Sequence, residues 1–398
     1  MYSRRHKTVY FVLEGLNAYA ASFYFNYLFF HLRDQFGFGN TANLATCALH
    51  GFIFMFSAWF GGRFSQRAGY LVALPLGFGI MGGALLLGMV LPGLPAQLLV
   101  VALWTFGMCF TWPTLEALAS ERETPVSLRR MIGIYNVTWA AGSALACFTG
   151  GALLEWLGPS SLFWFPALLH GVQLVIVLAV KRGVRTAPAD EPIALAKDEE
   201  HHKAPALPGK LPAKAFLRMA WLANPFAYVA MNALIPVIPR LAKELHFATD
   251  QAGFFCSIWL FARLAAFILL WQWAGWHYRF RWLMGSFVIM IGCFAAILLA
   301  LNLAVIIVAQ VGFGLAVGLI YYSSLFYSMD VGETKGEHGG IHEAAIGSGI
   351  FGGAGIGALG QFVFSGPTSS TWVVSAVLVA GLAGLWLIRQ RSISESRR

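Results

Sequence analysis

Apolar runs of about twenty residues, separated by short charged or Gly/Pro-containing breaks, occupy almost the whole chain. A helix rises about 1.5 Å per residue, so about 20 such residues cross a hydrocarbon layer of about 30 Å. Windows of that length fall at 8–30, 42–62, 70–91, 96–117, 131–154 and 160–181. A second set falls at 215–239, 250–273, 281–300, 303–328, 342–364 and 370–389. The pattern predicts an all-α membrane protein with twelve transmembrane helices.

One stretch interrupts it. Residues 182–214 carry Pro188, Pro192, Pro205, Pro208 and Pro212 among Asp190, Glu191, Lys197, Asp198, Glu199, Glu200, His201 and His202. A segment this polar cannot bury enough apolar surface to fold by itself, so it reads as a flexible linker. It separates a six-helix bundle at 1–181 from a second at 215–389, with a short tail at 390–398. No rigid element holds His201 and His202 in ligand geometry, so no metal is expected there.

The two bundles read as a repeat. Sliding the chain against itself by about 210 residues sets Pro92 on Asn302, Trp112 on Tyr322, Gly142 on Gly352 and Pro159 on Ser369. Residue identity is low, but the spacing of the spans agrees throughout. Parallel repeats about an axis normal to the membrane are one way in which transporters are built.

Composition supports the membrane reading. Hydrophobic residues make up 58% and charged residues 11%, whereas soluble domains carry roughly a quarter charged. A net charge of +9 would suit a nucleic-acid partner, but the basic residues sit in short clusters between apolar spans. Arg4, Arg5, Lys7, Arg63, Arg67, Arg122, Arg129, Arg130, Lys181, Arg182, Arg185, the linker lysines, Arg279, Arg281, Lys335 and the residues from Arg389 onward fall on one side. Arg33, Arg240 and Lys243 fall on the other. The asymmetry predicts cytoplasmic termini and linker in a plasma membrane, a bacterial inner membrane in particular. The basic start and Ala18-Tyr19-Ala20 imitate a signal peptide, but Glu14 and Asn17 interrupt its apolar core, so the run reads as an uncleaved first helix. All five cysteines lie inside apolar stretches, and no disulfide framework is expected.

Two local motifs add to the architecture. The loop after the second window reads Gly62-Arg63-Phe64-Ser65-Gln66-Arg67-Ala68-Gly69-Tyr70. The fifth window carries Gly133, Gly142, Ala146-Cys147 and Gly150-Gly151. Over essentially its full length the chain resembles the major facilitator superfamily. The first motif is similar to that family's Gly-x-x-x-Asp-Arg-x-Gly-Arg loop. The resemblance implies a cytoplasmic gate at Gly62, Gln66, Arg67 and Gly69, with its charged latch weakened because Gln66 stands for Asp and Tyr70 for a basic residue. The second is similar to the glycine motif of the family's exporters, here without its Gly-Pro pair. Its presence implies export, although small residues at this spacing also simply permit close helix packing. The family fold implies two six-helix bundles rocking about a central cavity.

No enzyme motif is present: neither a phosphate loop, nor His-Glu-x-x-His, nor Gly-x-Ser-x-Gly. Coupling therefore falls to an ion or solute gradient, without a cofactor. Ionisable groups inside apolar spans are costly and usually face water or one another. Glu14, two turns into the first helix, is the proton-coupling candidate, and Asn17 and Tyr24 share its stripe. Arg263, in the middle of the eighth window, cannot readily lose its proton and needs an anion, carbonyls or water. Tyr321 and Tyr322, with Trp112 at the matching place in the first half, offer rings and polar tips for an amphipathic ligand. Asn136, Trp139, Tyr228 and Asn232 are further cavity candidates, whereas His50 and His170 read as packing residues.

The leading expectation is a secondary transporter, a proton-coupled antiporter exporting a small amphipathic or organic-anionic solute. Uptake of a sugar or carboxylate by symport or uniport is the alternative within transport. A non-transporting sensor or a lipid-acting enzyme is the alternative outside it. A sensor would more commonly carry an added soluble domain, and an enzyme a cluster of nucleophiles or metal ligands at one membrane face. The expected partners are a small-molecule substrate, protons and membrane lipid, with the chain a monomer.

Overall fold

The computed structural model describes residues 4–121, 123, 125–186, 211–331, 335–366 and 368–396. Most of the expected linker, with His201 and His202, lies outside them. The first half comprises α1 (Arg4–Phe36), α2 (Asn40–Ala68), α3 (Tyr70–Val90), α4 (Leu94–Met108), α5 (Trp112–Ser120), α6 (Pro125–Leu157) and α7 (Ser161–Thr186). The second comprises α8 (Ala213–Leu234), α9 (Ile238–Glu244), α10 (Thr249–Cys256), α11 (Ile258–Gln272), α12 (Phe280–Leu299), α13 (Leu303–Val331), α14 (Lys335–Phe364) and α15 (Ser369–Ser396). The pairs α4/α5, α8/α9 and α10/α11 each form one broken crossing, giving two six-helix bundles. Eleven crossings are long and apolar enough to span a bilayer by length and composition among the described residues. The first, α1, is not in that set; its apolar run is interrupted by polar residues such as Glu14, Asn17 and Asn26.

Each polar break turns the chain between sides. Gly69 joins α2 to α3 at φ +94°, a backbone region that other residues enter at a cost. The even number of crossings puts the start of α1, the end of α7, the start of α8 and the end of α15 on one face, called here the linker side.

Prolines explain two broken crossings. Pro113 has no N–H to offer the Cys109 carbonyl, and the chain tightens there through bonds from Phe110 N to Gly107 O and from Thr111 N to Met108 O. Pro236 likewise leaves the Asn232 carbonyl without its helical donor. Cys47 Sγ, on α2, donates to that oxygen at 3.7 Å. Asn43 Nδ2, also on α2, donates to Pro236 O at 3.2 Å. In lipid, freed backbone groups need such partners. The helix breaks therefore become ties between the halves.

The halves meet along α2 and α14, and along α6 with α10 and α11. The α2–α14 pair is antiparallel: Leu44, Gly51 and Met55 lie opposite Gly357, Phe351 and Gly347. Facing the side away from the linker, Arg33 Nη1 donates to Pro239 O at 2.9 Å and Asp250 N to Glu155 Oε1 at 3.3 Å. That side is bridged from half to half.

Candidate substrate cavity

Between the bundles, near mid-crossing, lies a cavity of about 160 Å³ lined by both halves. Six of the residues expected to line it do so: Trp112, Trp139, Tyr228, Asn232, Arg263 and Tyr321. Helix period brings them together, since Tyr135, Trp139 and Ser143 recur every four residues along α6 and all reach the cavity.

Arg263 sits on α11, 5% exposed. Its guanidinium lies over two indole faces, 4.4 Å from the Trp139 centroid and 5.1 Å from that of Trp259. Nη1 approaches Met231 Sδ at 3.6 Å, and Nε is buried without a hydrogen-bond partner. Among the described residues no carboxylate forms an ion pair with it. Trp139 is contributed by the first half, yet it stacks on Tyr321 of the second at 5.2 Å and 22°. Phe267 stacks on it at 5.8 Å, and Trp112 meets it edge-on at 6.2 Å.

The structure places the other candidates elsewhere. Glu14 and Asn17 are fully buried behind the cavity wall, where the Tyr135 hydroxyl is the polar group that approaches the Glu14 carboxyl. Asn17 Nδ2 reaches Thr111 Oγ1 at 3.4 Å, a long contact. Tyr24 packs edge-on against Trp104 at 4.9 Å, with its hydroxyl unpartnered. Asn136 is buried with both side-chain polar atoms unpartnered. Tyr322 belongs to an aromatic cluster with Phe267 and Trp276 rather than to the cavity lining.

Sequence reasoning passed over several groups. Glu116 on α5 and Glu343 on α14 are both 6% exposed, and Glu343 lines the cavity. Both lie within electrostatic range of Glu14, as does the Tyr135 hydroxyl. Three carboxyls, two from one half and one from the other, thus gather beside the cavity. Glu116 was recoverable by the signal that picked out Glu14, being an ionisable residue within the window 96–117. His50 also lines the cavity, its Nδ1 2.7 Å from Thr105 Oγ1. Ser22 and Asn26 add polar edges to the lining.

The motif glycines have structural work. On α6, a Cβ at Gly133 would strike the Trp271 ring of α11, and one at Gly142 would sit 2.7 Å from Gly15 O on α1. Gly150 abuts Tyr27 and Phe23 of α1, and Gly151 abuts the start of α10. The smooth helix thus lies against both halves. Gly62 and Gly69 close the end of α2, where Gln66 and Arg67 are exposed on the linker side.

Residues 11–354 match the family model described as Major Facilitator Superfamily. The chain belongs to the Major Facilitator Superfamily. It is therefore a multi-pass integral membrane protein and a secondary transporter of small molecules rather than an enzyme. No curated protein matches the chain. Two transporters are among the solved structures that share the fold. The human organic anion transporter MFSD10 (TETRAN) is 13% identical, with TM-score 0.65, 96% of this chain covered and 99% of that one. A point mutant of the nucleoside transporter NupG is 11% identical, with TM-score 0.70, 96% of this chain covered and 99% of that one.

Proposed function

We propose that this transporter carries a small amphipathic organic anion by alternating access, that protons are its coupling ion, and that it works in export. Arg263 carries the reading. An arginine cannot readily discharge itself in a low-dielectric wall, and the cost of leaving it without a counter-charge is several kcal/mol. Arg263 has aromatic faces around it and no carboxylate within ion-pair distance among the described residues. A solute anion is the counter-charge that fits. MFSD10, similar in fold, is named an organic anion transporter, which agrees.

Glu14, Glu116 and Glu343 supply groups for proton exchange. Carboxyls crowded in low dielectric take up and release protons as neighbouring charge and hydration change. The glycine pattern of α6 favours export. A second reading, uptake with protons, draws support from Glu343 and Arg263 lining one cavity. An anion bound there stabilises the protonated form of Glu343, so solute and proton would load together.

Proteoliposomes with an imposed pH gradient of either sign, a panel of labelled organic anions and a lumenal pH dye test the proposal. Export by exchange requires solute flux opposite to proton flux, abolished by Glu14→Gln with binding retained. Parallel fluxes establish symport instead. Solute flux without proton movement removes protons from the mechanism and returns Glu14 to a structural role.

A further inference from the structure

The two halves contribute chemically different groups to the cavity lining, with the charged ones, Arg263 and Glu343, both from the second half. On the second-half side stands Arg263, over two indole faces and with Nε unpartnered. On the first-half side stand three rings from three helices: Phe25 on α1, His50 on α2 and Trp104 on α4. Phe25 lies 4.5 Å from His50 and nearly parallel to Trp104, at 6.4 Å and 10°. His50 sits 5.8 Å from Trp104 and is held by Thr105. No Asp, Glu, Lys or Arg of the first half lines the cavity among the described residues.

We propose that the substrate is a planar aromatic monocarboxylate whose carboxylate pairs with Arg263 and whose ring lies against Phe25, His50 and Trp104. The proposal rests on the reading that Arg263 meets an anion and adds what the first-half rings select. A guanidinium held in place by stacked indoles presents its N–H edge in a fixed plane, and a carboxylate matches that edge with two oxygens. Aromatic walls favour a ring over a flexible chain, because ring quadrupoles give edge and offset contacts a preferred geometry. Less rotational freedom is also lost when a rigid ligand binds.

Isothermal titration of the full chain in detergent, with four named probes, tests this. The probes are 1-naphthoate, 1-naphthamide, hexanoate and uridine. In the wild type, 1-naphthoate is expected to bind at least about tenfold more tightly than each of the others, the gap expected for one charge-assisted pair or one aromatic contact set. Arg263→Gln should weaken naphthoate to the level of naphthamide and leave naphthamide unchanged. Trp104→Leu should weaken naphthoate about tenfold and leave hexanoate within a factor of two. Arg263→Lys, which keeps charge but loses the planar edge, should lie between wild type and Arg263→Gln and guards against misfolding of the glutamine variant.

Equal binding of hexanoate and naphthoate, both lost in Arg263→Gln, overturns the aromatic assignment while the anion reading stands. Equal binding of naphthamide and naphthoate, or tighter binding of uridine, overturns both. Absence of binding by naphthoate also overturns the proposal.

Discussion

Lys7 shows how one side chain ties two crossings together. At the linker-side end of α1 its Nζ donates to Leu118 O at 2.8 Å, Ala119 O at 3.0 Å and Glu121 O at 2.9 Å, and lies 3.2 Å from Glu123 Oε1. These carbonyls end α5, where backbone acceptors have no helical donor and the helix dipole favours a cation. Lys7→Met removes the donor and leaves the acceptors in a site where the lysine is 6% exposed. Hydrogen bonds to charged groups are worth about 1.5–3 kcal/mol each and are not additive, so a net loss of about 2–3 kcal/mol is expected. A lowered thermal midpoint in detergent, partly restored by Lys7→Arg, checks it. An unchanged midpoint would show that water replaces the lysine at no cost. The sequence revealed Lys7 only as one of many basic residues on the linker side, because its partners are more than a hundred residues away. Glu14 and Arg263 were legible for the opposite reason: charge inside an apolar window stands out without knowledge of any partner.

At the scale of the helix, the spans were legible because bilayer thickness fixes their length, although α1, α2, α6, α14 and α15 each run six or seven residues past the expected window at one end, α15 through most of the expected tail. What each face meets was not legible. The glycines of α14 are numerous in sequence, but only the structure separates those pressed against a neighbour from those with room. A Cβ on Gly347 would lie 2.6 Å from the Met55 backbone of α2, whereas one on Gly355 would sit 3.9 Å from Ala48, an ordinary contact. Gly347→Val should therefore force α2 and α14 apart and lower the transport rate about tenfold or more. The steric cost of overpacking is typically about 1–3 kcal/mol. Gly355→Ala should transport at the wild-type rate. Rates in proteoliposomes at matched protein content check the pair, and equal rates in both variants would mean that the α2–α14 contact does not limit the cycle. Pro113, Pro236 and Pro239 stand inside windows expected to be continuous, and the helix breaks there, like the α2 cysteine that answers the freed Asn232 carbonyl, became apparent only in the fold.

For the whole molecule, alternating access requires that the bridged side open. Three ties must then part together: Arg33 to Pro239, Asn43 to Pro236, and Asp250 to Glu155. All three are hydrogen bonds between polar groups at or near helix ends, set beside apolar packing of α6 on α10 such as Phe148 against Phe254 at 4.8 Å. Each contributes on the order of 1 kcal/mol, so the set is strong enough to hold and weak enough to break on solute binding. A covalent tie at the same place would remove that reversibility. Glu155→Cys with Asp250→Cys, joined by a short thiol-reactive cross-linker, should stop transport while leaving solute binding from the linker side intact. Four native cysteines are buried, and replacing Cys293 by serine clears the remaining partly exposed one. Each single-cysteine variant treated with the same reagent should transport normally. Full transport in cross-linked protein would mean that the halves do not separate at Glu155 and Asp250. The rocking axis would then have to pass close to the α6–α10 contact, leaving the opening to the ties made by Arg33 and Asn43 alone.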